Sequence, residues 1–136
     1  MPDQDRSHFI QALERAPFAA MLGLKIESAA GGSATVRMPF DLRILNEGGP
    51  DAPIHGGAIA ALADVAACAA VWSLATTTRT ATISLTVNYT GFAVNSDLIA
   101  RARVKRTGKR IASLAVEITD ASGALIADAL VTYKIA

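Results

Sequence analysis

From Ala58 to Ala75 the chain reads AIAALADVAACAAVWSLA, eighteen residues that carry one charge, Asp64. A stretch this apolar belongs in a bilayer or in a protein interior. A spanning helix needs about 20 predominantly apolar residues. The run is rich in alanine rather than leucine, and a charge near a bilayer centre costs at least about 2.5 kcal/mol. It therefore predicts a helix buried on nearly every side, wrapped by the rest of the chain and by a second subunit. Alanine supplies 28 of the 136 residues, and aromatics make up 5 %. The core must be built from small and aliphatic side chains.

The wrapping can be read in order. Residues 5–22 carry an amphipathic helical pattern, interrupted at Pro17, with Gly23 as its stop. Leu24–Ala29 and Ser33–Phe40 flank Ala30-Gly31-Gly32 as a hairpin, with Val36, Met38 and Phe40 on one face. Asp41 to Ile54 is a loop with two glycines and two prolines. His55-Gly56-Gly57 then opens the apolar helix, and Thr76-Thr77-Thr78 closes it. Four strands follow: Thr80–Val94, Asp97–Thr107, Arg110–Thr119 and Leu125–Ile135, joined by short turns. Short turns join antiparallel strands, so the fold class is α+β with an antiparallel sheet.

At 136 residues the chain is expected to be one domain, residues 1–136. A net charge of +1 lacks the basic footprint of a nucleic-acid binder. One cysteine, Cys68, excludes an internal disulfide framework and a multi-thiolate metal site. MPDQDRSHFI has no apolar segment of the signal-peptide kind, so the expected compartment is the cytoplasm. Neither a nucleic-acid nor a membrane partner is expected.

Asp64 is the most informative residue. Between Pro53 and Thr78 no other Asp, Glu, Lys or Arg occurs. Burying a lone carboxylate is costly unless something holds it, and such burial also sets up acids and bases for catalysis. His55-Gly56-Gly57 adds glycines that let backbone approach a ligand, and a helix start that offers N–H donors. These are parts of an oxyanion hole, and also of an ordinary loop-to-helix turn. Gly57 and Asp64 are seven residues apart, about 10 Å along a helix. One carbonyl cannot meet both, because reacting atoms sit about 3–3.5 Å apart. If both serve one reaction, they come from different subunits paired about a two-fold axis.

HGGAIAALAD, residues 55–64, resembles the helix signature of PaaI-type acyl-CoA thioesterases of the hotdog superfamily: His-Gly-Gly with an Asp nine residues after the His. Pro17-Phe18 to Gly23 resembles the family's opening. Thr82 to Tyr89 resembles its strand after the helix, and Gly108-Lys109-Arg110 and Asp120 to Thr132 resemble its closing hairpins. The resemblance implies a hotdog fold, an antiparallel curved sheet wrapped around a long central helix, assembled as a homodimer or a dimer of dimers. It implies hydrolysis of an acyl-CoA thioester at the dimer interface, with no cofactor beyond the CoA of the substrate and no metal. Asp64 would be nucleophile or general base. The Gly57 N–H would hold the thioester oxygen, His55 and Asn46 would orient carbonyl or water, and Thr82 would place a hydroxyl near the acid.

Two departures stand out. Asn46 lies nine residues before His55 where relatives have about six, with Gly48-Gly49-Pro50-Asp51 lengthening the loop. Cys68 stands one turn after the acid, where some aryl-CoA-cleaving relatives have threonine; it reads as a small core residue. Arg101, Arg103 and Lys105 share a strand face by the period of two. With Arg106, Lys109 and Arg110 they form either a solvated face or a site for the phosphates of CoA. Trp72, Val71, Leu74, Phe18, Met21 and Leu22 are core residues or line a pocket for a hydrophobic medium-chain or aryl acyl group. The competing function is a hotdog module that binds acyl-CoA or another hydrophobic ligand without turnover. A hotdog hydratase or dehydratase using His55 and Asp64 is a third.

Overall fold

The computed structural model describes residues 6–74 and 79–135. The N-terminal pattern splits at Pro17 into α1 (Ser7–Arg15) and α2 (Pro17–Met21). Ala16, the residue before the proline, is extended at φ −54°, ψ 140°, as proline requires of its predecessor. Gly23 then adopts φ +68°, which ends the second helix. Glu14 of α1 accepts from the Ile26 N–H at 2.9 Å, tying this helix to the first strand.

Strands β1 (Lys25–Ala30) and β2 (Ser33–Met38) form the expected hairpin. Gly31 and Gly32 sit at φ +58° and +86°, two successive left-handed residues that only glycine supplies freely. Val36 and Met38 are fully buried. Phe40 falls beyond the strand, since Pro39 follows its last residue; its N–H donates to Asp97 Oδ1 at 2.8 Å instead.

The apolar run forms α3 (Gly56–Trp72). Leu62, Ala63, Ala66, Ala67, Ala69, Ala70 and Val71 lose all contact with solvent. Alanine serves twice here, as the best helix former and as a side chain small enough to seat a helix closely on a sheet. Ser73 ends the helix: its hydroxyl donates to the Ala70 carbonyl and accepts from the Gly32 N–H. The threonines expected to close α3 lie outside the described residues. No described helix is long and apolar enough to cross a membrane.

Four further strands follow: β3 (Thr80–Tyr89), β4 (Leu98–Thr107), β5 (Ile111–Asp120) and β6 (Leu125–Ile135). The six strands form one antiparallel sheet in the order β1-β2-β4-β5-β6-β3, curved around α3. This is the hotdog arrangement expected from the resemblance. The chain returns across the sheet to place β3 at an edge, against β6. No residue of β3 is buried, whereas β6 alternates buried and exposed positions along most of its length.

β3 ends at Tyr89, five residues short of the expected Val94. The Thr90 and Gly91 N–H groups both turn to the Ile126 carbonyl. A Cβ on Gly91 would stand 2.9 Å from the Leu125 carbonyl oxygen, so a side chain there would force the backbones apart. The next residues serve α3 instead. Val94 bridges Pro53, and the Ala93 carbonyl accepts from the Ile54 N–H at 2.8 Å.

Candidate active site

The start of α3 is braced before the helix begins. The His55 N–H donates to the Ile44 carbonyl at 2.7 Å, and the Asn46 N–H to the Pro53 carbonyl at 2.9 Å. Gly48-Gly49-Pro50-Asp51 therefore occupies the tip of an excursion whose base is pinned. The lengthened loop leaves the Asn46 backbone beside Pro53, two residues before His55. The Asn46 side chain is exposed and has no hydrogen-bond partner among the described residues.

His55 is the N-cap of α3. Its Nδ1 accepts from the Gly57 N–H at 2.8 Å, which places the ring proton on Nε2. The Gly57 N–H, expected to serve an oxyanion, thus already has an acceptor within its own chain. The Gly56 N–H, one residue earlier, has none among the described residues.

Both glycines keep close neighbours at the helix start. A Cβ on Gly57 would stand 2.9 Å from His55 Nδ1, and one on Gly56 would stand 3.3 Å from the Tyr89 ring and hydroxyl. Tyr89 also donates its O–H to the Gly56 carbonyl at 2.7 Å.

Asp64 lies two turns along α3, half-buried. Its Oδ1 accepts two hydroxyls, from Tyr133 at 2.6 Å and from Thr82 at 2.8 Å. The Tyr133 O–H also lies 2.8 Å from the Asp64 carbonyl oxygen. Oδ2 has no partner among the described residues. The carboxylate is therefore held at one oxygen and open at the other.

Tyr133 and Cys68 carry no charge beside it. Burial, then the neighbouring Cys68 and the bond to Asp64, push the phenol far above its ordinary range. Burial pushes the Cys68 thiol up as well. A neutral buried thiol is a poor nucleophile, as expected of a core residue. The Thr80 hydroxyl, 3.9 Å from the Cys68 sulfur, accepts from Trp72 Nε1 at 3.0 Å.

Trp72 stacks on Phe9 with centroids 5.3 Å apart, two turns of α3 beyond the acid. Of the other apolar candidates, Val71 is core, whereas Phe18 and Met21 are 55 % and 57 % exposed.

The basic run divides between two places. Arg101 and Arg103 point away from α3, where they line a groove of about 830 Å³ with Glu117 and Asp128. A bulge at Lys105 then resets the alternation, so that Arg106 comes opposite the exposed Ser113. Arg106, Lys109 and Arg110 surround the β4–β5 turn, exposed and without an ion pair among the described residues. One row across the sheet runs Thr82–Tyr133–Ala112–Thr107. At about 4.8 Å per strand, that turn lies about 14 Å from Thr82.

The sequence pointed to Asp64, Thr82, His55 and the glycines, and missed Tyr133 and Tyr89. A signal for Tyr133 existed. It sits on the inward face of β6, and a buried phenol needs a polar partner. The one carboxylate on the helix facing that strand is Asp64.

Residues 53–127 match the family described as the thioesterase superfamily. The chain belongs to that superfamily. A protein of Halobacterium salinarum, provisionally named an esterase, is 36 % identical over 95 residues, which are 68 % of this chain and 62 % of that protein. The chain thus spans less than two-thirds of that relative's length. Two solved structures share the fold of this thioesterase-superfamily chain. The E. coli PaaI protein, from the phenylacetic acid degradation operon, superposes with a TM-score of 0.84 at 23 % identity, covering 100 % of this chain and 96 % of that one. A Streptococcus pneumoniae hypothetical thioesterase, solved with coenzyme A, gives 0.81 at 21 % identity, covering 93 % and 96 %.

Proposed function

We propose that the chain hydrolyses acyl-CoA thioesters to a free acid and CoA, with Asp64 as the acting carboxylate. The observation that carries this reading is the asymmetric carboxylate: Oδ1 accepts two hydroxyls and Oδ2 is open. Membership of the thioesterase superfamily and the coenzyme A bound to the Streptococcus pneumoniae neighbour support it.

In the general-base route, Oδ2 takes a proton from water while the water oxygen attacks the thioester carbonyl carbon. The carbonyl electron pair moves onto oxygen. Collapse of the tetrahedral intermediate expels the CoA thiolate, which takes the proton back from Asp64. In the nucleophilic route, Oδ2 itself attacks the carbonyl carbon, the C–S bond breaks and CoA thiolate leaves; water then opens the mixed anhydride, which frees the acid, restores the Asp64 carboxylate and leaves a proton for the thiolate.

The oxyanion would sit at the first turn of α3, where the dipole and the backbone donors favour negative charge. There the Gly56 N–H is open and the Gly57 N–H is shared with His55. The His55 Nε2–H and the Asn46 amide would orient carbonyl or water.

Gly57 and Asp64 lie on one continuous helix, seven residues apart. The reading therefore takes the helix start from a second copy. The edge strand β3, TATISLTVNY, supports this, because it carries no charge and no proline to block pairing. Thr82 lies on that strand, so pairing there would bring the partner's chain to Asp64. The proposed site is thus built twice per dimer.

Arg106, Lys109 and Arg110 would receive the CoA phosphates. Their distance from Thr82, about 14 Å by strand spacing, suits a long arm between phosphates and thioester. The Trp72–Phe9 stack favours a hydrophobic medium-chain or aryl acyl group. A CoA ester as substrate would suit the cytoplasm, the compartment expected from the sequence.

The test is thiol release from a panel of aliphatic and aryl acyl-CoAs, comparing wild type with Asp64→Asn. The expected result is turnover of some thioester and a loss of at least about a hundredfold in a folded variant. No turnover would put the non-catalytic binding module in its place, whereas equal turnover by the variant would take Asp64 out of the chemistry. CoA affinity would then be the next measurement.

A further inference from the structure

We infer that Tyr133 is a positioning residue for Asp64, fixing the carboxylate through Oδ1 so that Oδ2 is the atom presented to water or the acyl carbon. This rests on the reading of Asp64 as the reacting group. The phenol is buried on the inner face of β6, 3 % exposed, and held by its strand. It meets Asp64 at two points: the carboxylate at 2.6 Å and the main-chain carbonyl at 2.8 Å. Contact with both ends of one residue fixes the side chain relative to its own helix. Thr82 closes on the same Oδ1 from the edge strand.

A buried tyrosine needs one acceptor, and the Asp64 carbonyl alone would satisfy it. The single phenolic proton is instead shared with the carboxylate, which makes the shorter contact. A bond to an ionised acceptor is also about twice as strong as a neutral one. The two donors make a symmetric group asymmetric. Any partial rotation of the carboxylate would break both bonds, and a half-turn only exchanges two equivalent oxygens, so one oxygen is always gripped and the other open.

The groups facing Asp64 are Tyr133 from β6, Thr82 from β3 and Cys68 from α3. Tyr133 and Cys68 stay neutral over the working range, and Thr82 has no charge to lose. No second ion among them competes for control of the carboxylate.

The experiment is Tyr133→Phe beside Asp64→Asn, with kcat, KM, the pH profile of kcat/KM and Tm measured on the full chain. Phenylalanine keeps the packing and removes the donor. The expected result is a fall in kcat of about tenfold or more, since a lost bond to a charged group has about that effect. KM should stay within about twofold if ground-state binding is untouched. The acid limb should move to higher pH, because an ionised carboxylate that loses a donor is less favoured.

A purely structural tyrosine would lower Tm and leave that limb in place. Such a result, with Asp64→Asn inactive, overturns the positioning role alone. An active Asp64→Asn variant, or a wild type that releases no thiol, overturns this inference together with the proposed function. The chain has two tyrosines. If Tyr133→Phe fails to fold, fluorotyrosine incorporated into a Tyr89→Phe background changes the donor strength of Tyr133 alone. The acid limb should then move to lower pH relative to the unfluorinated parent, and an unmoved limb overturns the role.

Discussion

Tyr89 and Gly56 are joined in two ways: the phenol donates to the glycine carbonyl at 2.7 Å, and its ring occupies the space a Cβ would need. A helix start and an edge strand, 33 residues apart in sequence, are thereby locked in register.

Gly56→Ala is expected to push the Tyr89 ring off the helix start by a few tenths of an ångström. Under the proposed mechanism, kcat/KM should fall about tenfold, since small misplacements at a reacting centre are costly. Tyr89→Ala in the Gly56→Ala background removes the clash and should recover part of the loss. The double-mutant cycle in kcat/KM checks this, and strictly additive effects would show that the two residues act apart.

His55 has two separable tasks. His55→Ala removes the acceptor for the Gly57 N–H and should cost about 1 kcal/mol of stability. His55→Asn restores a capping oxygen and should return most of it. Neither variant keeps the Nε2–H, so both should lose thioester turnover. Denaturant midpoints and kcat/KM, measured on the same preparations, separate the cap from the chemistry.

Edge-strand pairing is tested with charge. Ser84→Lys with Thr86→Lys places two lysines on a strand that has none. Pairing of β3 with its copy about a two-fold axis would bring four lysines along one seam, and like charges across a strand pair repel. The expected outcome is a halved mass in sedimentation together with lost turnover, because each proposed site draws on both copies. A monomer that stays fully active would refute the shared site.

Cys68 should be chemically quiet. Its thiol is pushed up by burial, so the thiolate fraction near neutral pH is small. Labelling by a disulfide reagent at pH 8 should run at least about a hundredfold slower in the folded chain than in denaturant. Cys68→Ser should keep turnover within about threefold, as expected of a residue outside the chemistry. Rapid labelling accompanied by loss of turnover would overturn the reading of Cys68 as a core residue.

Much of this architecture could be read locally. Gly31-Gly32 fixed a hairpin because two left-handed residues in a row admit little else. Pro17 split the N-terminal helix for the reason proline always does. Asp64 stood out because nothing charged surrounds it in sequence. Other features depend on pairings that no local window contains. The position of β3 at the sheet edge follows from its pairing with β6, some fifty residues on. The early end of β3 follows from Gly91 meeting the Leu125 backbone.

The grip on Oδ1 was hidden for the same reason. Along β6, Tyr133 reads as one more inward apolar position, and its partner lies 69 residues earlier. The cap was hidden in a different way. In sequence His55 suggests a group aimed at a ligand, while in the fold its Nδ1 accepts from the backbone N–H two residues on.

A chain leaving the ribosome makes α3 and β3 well before β6 exists. β3 has no other strand in the sheet to lie against, and Tyr133 arrives with β6 itself. An emerging chain can gather α3 onto β1 and β2 while its acid still lacks the phenol that grips it. Assembly of the carboxylate's surroundings is thus coupled to docking of the final strand. A fragment cut short of β6 would hold Asp64 exposed beside an unpaired, uncharged strand, a state more prone to aggregation than to chemistry.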